Sequence, residues 1–149
     1  MTPIGHSLAG YAVYKFSAAS TNRNRLRLAS LCIFMAAAPD LDFLPGILIG
    51  RPELYHHGIT HSLGFALMAS MVIAELLSIR MKPFSLIFSL CFISYLSHVV
   101  IDFFGPSTPY RHPPRIPMFR LIIRENFISP VQLFLGVHHT GSPSASILE

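Results

Sequence analysis

Two long apolar runs, separated by only four residues, limit what this chain can become. The first, Ser62 to Ile79, reads SLGFALMASMVIAELLSI, eighteen residues with a single carboxylate. The second, Phe84 to Phe104, reads FSLIFSLCFISYLSHVVIDFF, twenty-one residues. A helix rises about 1.5 Å per residue, so runs of this length cross, or nearly cross, a hydrocarbon layer about 30 Å thick. The connecting RMKP is too short to lead anywhere but back, which predicts an antiparallel helical hairpin.

The rest of the chain fits a membrane setting. Hydrophobic residues make up 52%, charged residues 12%, and the mean hydropathy is +0.53, all beyond what a soluble domain of 149 residues normally carries. The expected fold is therefore all-α, a polytopic membrane bundle of about four helices. It forms a single unit over residues 1–137, followed by a loose tail at 138–149. The opening stretch, MTPIGHSLAGYAVYKFSAAS, lacks the basic region of a signal peptide. Its Thr2-Pro3 suits a helix start, and Gly5, Ala9, Gly10 and Ala12 would let that helix approach a neighbour closely. A second apolar segment, Leu28 to Ala38, meets Pro39 and continues as FLPGILIG, so it can cross only as a broken element. The proline-rich remainder suggests a membrane-surface segment with short helices near 118–124 and 130–137.

Net charge is +4, but the eleven basic residues are scattered rather than gathered on one helical face. That pattern argues for anionic lipid headgroups as partners and against nucleic acid. Cys32 and Cys91 sit inside apolar runs without metal or redox spacing and read as buried small hydrophobes.

Placing the helices up and down brings seven ligand-type residues to one face. His6 starts the first helix, Asp40 and Asp42 end the second, His56 and His61 start the third, and His98 and Asp102 end the fourth. All three aspartates of the chain belong to this set. His98 and Asp102 stand four apart and share a helix face, so they can grip one ion. Asp40 and Asp42 would point together if the stretch after Pro39 is extended and would diverge if it is helical. In HHGITHS, Gly58 permits a turn and Thr60 is a candidate N-cap, with His61 in the first helical turn.

Taken singly, each has a plain structural explanation: a helix-packing hydrogen bond for His6, an interfacial helix end for the two aspartates, a mutual hydrogen bond for His98 and Asp102. The set is harder to explain that way, because an intramembrane carboxylate costs roughly 2.5 to 3.5 kcal/mol to insert. Mixed imidazole and carboxylate donors suit zinc, with manganese or iron as alternatives, as one or two ions. Asp42 is a candidate general base and His61 a second candidate catalytic group. His57, Arg111 and Arg115 are candidate substrate contacts, the arginines toward a phosphate.

Five motifs in order, TPIGHSLAGY, PDLDFLPG, HHGITHSL, LSHVVIDFFG and FISPVQLFLGV, resemble the bacterial YdjM-like proteins over nearly the entire chain. That family is described as inner-membrane-associated, metal-dependent hydrolases, with LexA binding attached to its name. The resemblance implies that His6, Asp40, Asp42, His56, His61, His98 and Asp102 are its metal-binding positions. His57 stands where the family usually has arginine, and PMFRLI where relatives tend to carry an aromatic WPF-type segment. The His-x-x-x-Asp pair also has a distant likeness to zinc phospholipase C enzymes.

The expected function is hydrolysis of an amphiphilic ester or phosphoester, such as a lipid or lipid-linked phosphate, at a metal site in the inner membrane. Two alternatives remain open from the sequence. One is a non-catalytic scaffold with a structural metal that binds a soluble protein. The other is a metal or proton transporter, although the ligand-type residues gather at helix ends rather than mid-membrane. Arg23, Arg25, Arg27, Arg80 and Lys82 lie on the opposite face and Arg51, Arg111, Arg115, Arg120 and Arg124 on the ligand face, a nearly even balance; the expected orientation leans toward an extracytoplasmic site.

Overall fold

The structure is a computed structural model that describes residues 3–17, 24–50, 58–80, 83–105 and 133. The expected tail and the short helices near 118–124 and 130–137 lie outside these residues, as do His56, His57, Arg111 and Arg115.

Among the described residues every element is helical. Helix α1, Pro3–Phe16, begins on its proline, where the missing N–H leaves no helical bond unmade. Helix α2, Arg25–Ala37, does not end at Pro39. The chain tightens into a 3-10 turn, Ala38–Asp42, that takes the proline near its start, and then runs on as the short α3, Phe43–Leu48. The expected break is thus a change of helix type within a 24-residue apolar rod, Arg25–Leu48. Gly50, at φ 69°, closes the rod in a conformation that side chains with a Cβ rarely adopt.

A second 3-10 turn, Ile59–His61, precedes α4, Leu63–Ser78. Thr60 is not the cap. Ser62 is, its hydroxyl accepting the Phe65 N–H at 3.2 Å, which leaves His61 outside the helix rather than in its first turn. The cap shortens α4 to 16 residues, about 24 Å of rise, less than its apolar run suggested. Helix α5, Phe84–Phe103, is 20 residues long and follows Pro83.

Helix α5 is central, packing against α1, α2 and α4, and α1 packs on α2. The hairpin of α4 and α5 is antiparallel, since the turn that begins α4 meets the last two turns of α5. One core cluster joins Met35, Ala66, Ala74, Ile87, Cys91, Tyr95 and Val99; a second joins Tyr14, Leu28, Ala29, Cys32 and Leu90. Both cysteines are buried and free, as the sequence suggested. Gly10 explains how α1 comes so close to α2: a Cβ there would overlap the Cys32 carbonyl oxygen and crowd the Ala36 methyl.

The outer surface is unusually greasy, with Leu8, Phe34, Leu48, Val72, Leu76 and Ile79 all exposed. Arg25–Leu48 and Phe84–Phe103 are long and apolar enough to cross a membrane, yet only 28% and 39% of their apolar windows are buried. A core helix of a soluble protein hides most of its apolar surface; these do not.

Candidate metal centre

Four elements converge at one end of the bundle: the first turn of α1, the 3-10 turn after α2, the 3-10 turn before α4 and the last turn of α5. Three of them carry the group: α1 brings His6, the 3-10 turn after α2 brings Asp40 and α5 brings His98 and Asp102, with one ligand atom from each within 4.8 Å of all the others, a group that could hold a metal ion.

Each histidine is set differently. His98 and Asp102 stand four positions apart on α5, and Nε2 of the first lies 3.1 Å from Oδ2 of the second. The other ring nitrogen, Nδ1, is 2.7 Å from the Ala36 carbonyl oxygen. A carbonyl can only accept, so Nδ1 donates to it and leaves Nε2 as the nitrogen turned toward the group, the orientation a ligand needs. His6 stacks on this ring with centroids 3.7 Å apart, and its Nε2 is 3.3 Å from Asp102 Oδ1. Both nitrogens of His6 are buried without a hydrogen-bond partner among the described residues. Burying an imidazole unbonded is costly unless something else occupies its lone pair.

Asp40 and Asp42 part company because the stretch after Pro39 is a 3-10 turn, in which residues two apart point about 120° from each other. Asp40 Oδ1 faces His98 Nε2 at 3.5 Å. Asp42 Oδ2 instead faces the turn before α4: it accepts from Thr60 Oγ1 at 3.0 Å and the Gly58 N–H at 3.4 Å, and lies 3.2 Å from His61 Nδ1. His61 then directs Nε2 at the four-residue group, 3.1 Å from His98 Nε2 and 3.5 Å from Asp102 Oδ2.

The donors fit a small divalent ion. Bonds of about 2.0 to 2.1 Å in a tetrahedron separate the donors by about 3.3 Å; His98 to Asp102 Oδ2, His6 to Asp102 Oδ1 and His98 to Asp40 stand at 3.1, 3.3 and 3.5 Å, while the four donor atoms lie within 4.8 Å of one another, so the group would draw in somewhat around an ion. Two carboxylates and two neutral imidazoles carry the charge that one divalent ion cancels. In the ion-free protein a proton answers part of the same demand. Burial works against a charged His61 and is the largest influence on it, but hydrogen bonds to Asp102 and Asp42, with the charges of both, outweigh it and push the pKa up to about 9.

The side chains of His6, His61 and His98 are fully buried and that of Asp102 is 2% exposed, whereas Asp40 is 14% exposed. Asp40 therefore marks the side from which the group is reached. Of the seven metal-ligand candidates from the sequence, His6, Asp40, His98 and Asp102 form the group, His61 touches it, Asp42 touches His61, and His56 lies outside the described residues. Sequence reasoning missed Tyr95, whose hydroxyl donates to the Thr60 carbonyl at 2.8 Å. The available signal was a tyrosine in an apolar run one turn before His98, since a buried phenol needs a partner.

This arrangement defines a class: a helical protein with membrane-length apolar helices and a His/Asp group able to hold a metal ion. The model of the family described as YdjM inner membrane protein matches residues 1–143, and the chain belongs to that family. No curated protein and no solved structure matches it.

Proposed function

We propose that this protein is a multi-pass inner-membrane hydrolase that uses a divalent ion, zinc by preference, to cleave an ester or phosphoester of an amphiphilic substrate such as a lipid phosphate. The observation that carries this reading is the four-donor group His6, Asp40, His98 and Asp102, with the Asp42–His61 pair directed at it. His6, Asp40, His98 and Asp102 would hold the ion. When bound, such an ion acts as a Lewis acid and lowers the pKa of coordinated water toward neutrality.

The chain's own residues do the rest. The Ala36 carbonyl keeps the His98 proton on Nδ1. Asp42 does the same for His61, so that His61 Nε2 can take a proton at the edge of the group and return it to a leaving oxygen. Asp42 is then an orienting carboxylate rather than a general base. His56 as a further ligand, and His57, Arg111 and Arg115 as substrate contacts, are proposed on the sequence pattern alone. Exposed apolar side chains around every helix support immersion in lipid, where a headgroup can reach Asp40 while its acyl chains stay in the bilayer. An extracytoplasmic position of the site belongs to the same proposal.

Full burial of His6 and His98, with Asp102 nearly so, is also what a closed, structural site would show, in a scaffold that binds a soluble protein. One experiment separates the two: detergent-purified, zinc-loaded protein is supplied with phosphatidic acid and a lipid pyrophosphate, and released phosphate is measured with and without chelator. Chelator-sensitive release, lost in His61→Ala while zinc is retained, supports the hydrolase. Full zinc occupancy with no release from these or from carboxylic ester lipids supports the scaffold.

A further inference from the structure

Tyr95 has no part in the ligand set, yet it touches the element that carries His61. Its side chain is buried in the core beside Met35, Ala66 and Val99, with its ring 6.3 Å from that of Phe65. From there its hydroxyl reaches a backbone oxygen thirty-five positions away, the Thr60 carbonyl. Thr60 immediately precedes His61, and Tyr95 lies three residues before His98. The same face of α5 thus presents one histidine and grips the neighbour of the other.

The gripped turn needs such a hold. Ile59–His61 is three residues long, and its internal support is the 3.1 Å bond from the His61 N–H to the Gly58 carbonyl, followed by that of Ser62 on Ile59. Asp42 ties it from the side of α2 through Gly58 and Thr60 Oγ1. Tyr95 ties it from α5 through the backbone itself. With both ties made, the ring of His61 meets that of His98 edge-on, centroids 5.0 Å apart.

We propose that Tyr95 is a positioning residue of the metal centre: by fixing the Thr60 carbonyl it locks the turn so that His61 Nε2 stays directed at the group formed by His6, Asp40, His98 and Asp102. This rests on the metal reading above and deepens it. Loss of the hydroxyl leaves the four donors in place but lets His61 swing away.

The test is a Co²⁺ titration of the detergent-purified full chain, followed by visible absorption, in the parent, Tyr95→Phe, His61→Ala and the double variant. Tyr95→Phe is expected to keep its helical content, to bind Co²⁺ about 10- to 100-fold more weakly and to change the absorption spectrum. The double variant is expected to match His61→Ala within about twofold, because the hydroxyl acts only through that histidine. Tyr95→Phe overturns the proposal if it binds like the parent, if it adds its full penalty on top of His61→Ala, or if it loses helical content, which would assign the hydroxyl to the fold. A parent that binds no Co²⁺ overturns the metal reading and this proposal with it; a parent that binds while Tyr95→Phe is indifferent overturns only the role of Tyr95.

Discussion

In the α1–α2 half of the bundle a histidine reaches the site by steric closeness; in the α4–α5 half another reaches it through hydrogen bonds. His6 has no hydrogen bond to orient it among the described residues; it is placed by its stack on His98 and by the contact of Gly10 with α2. His61 sits on a three-residue turn with little structure of its own and is placed by Asp42, Thr60 and Tyr95. The first arrangement tolerates no added volume and has a single polar contact, His6 Nε2 to Asp102 Oδ1 at 3.3 Å. The second tolerates volume better and depends on every polar partner.

That contrast can be broken most severely on the steric side. Gly10→Val forces a branched side chain against the Cys32 carbonyl, and the expected cost is about 3 kcal/mol, the upper range for overpacking, because backbone cannot step aside. Metal binding should fall to background as α1 and His6 move off, read by elemental analysis after purification. On the polar side, Asp42→Asn keeps the volume and removes the charge. It should leave the helices intact and weaken zinc about 10- to 100-fold in a competition titration. If Asp42→Asn unfolds the bundle, the two halves do not differ in the way described.

A pH series sharpens the same difference. His61 titrates near 9 in the ion-free protein, above the usual 6.5, so its charge contributes stability that is complete below about 6.5 and disappears as pH rises through about 9. The ion-free protein should melt at falling temperature across that window, and His61→Gln should flatten the slope. Zinc affinity should run the other way, rising with pH to about 9, because binding must expel that proton. The smallest effect expected is that of Ser62→Ala, which removes the cap of α4. It should cost about 1 kcal/mol of thermal stability and leave metal affinity unchanged.

Much of this arrangement is legible in the sequence, and the rest is hidden there for identifiable reasons. His98 and Asp102 can be paired because four-residue spacing on a long helix fixes their geometry wherever the helix goes. His6 can be placed because Pro3 sets the start of α1. Asp40 and Asp42 cannot be assigned from the residues, since the choice between an extended and a 3-10 backbone after Pro39 decides whether they converge, and packing makes that choice. Thr60 resembles a cap because cap preference is shared by Thr and Ser, but its hydroxyl donates to Asp42, eighteen positions away, while that of Ser62 accepts the Phe65 N–H. Tyr95 stands out as a phenol in an apolar run, but its partner is hidden, because a backbone oxygen leaves no trace in the identity of Thr60. Gly10 reads as a close-packing residue, but nothing local to it names its neighbours as Cys32 and Ala36, the latter supplying the carbonyl that orients His98.

The most direct test of the central claim, that four side chains from three helical segments hold one ion, is metal content by elemental mass spectrometry on detergent-purified protein, comparing the parent with Asp102→Ala and with Ser62→Ala. The expected result is about one zinc or manganese per chain in the parent and in Ser62→Ala, and none in Asp102→Ala. A folded parent that carries no metal, and takes none up from zinc or manganese supplied in excess, would contradict it and leave the cluster as a buried network held by protons alone.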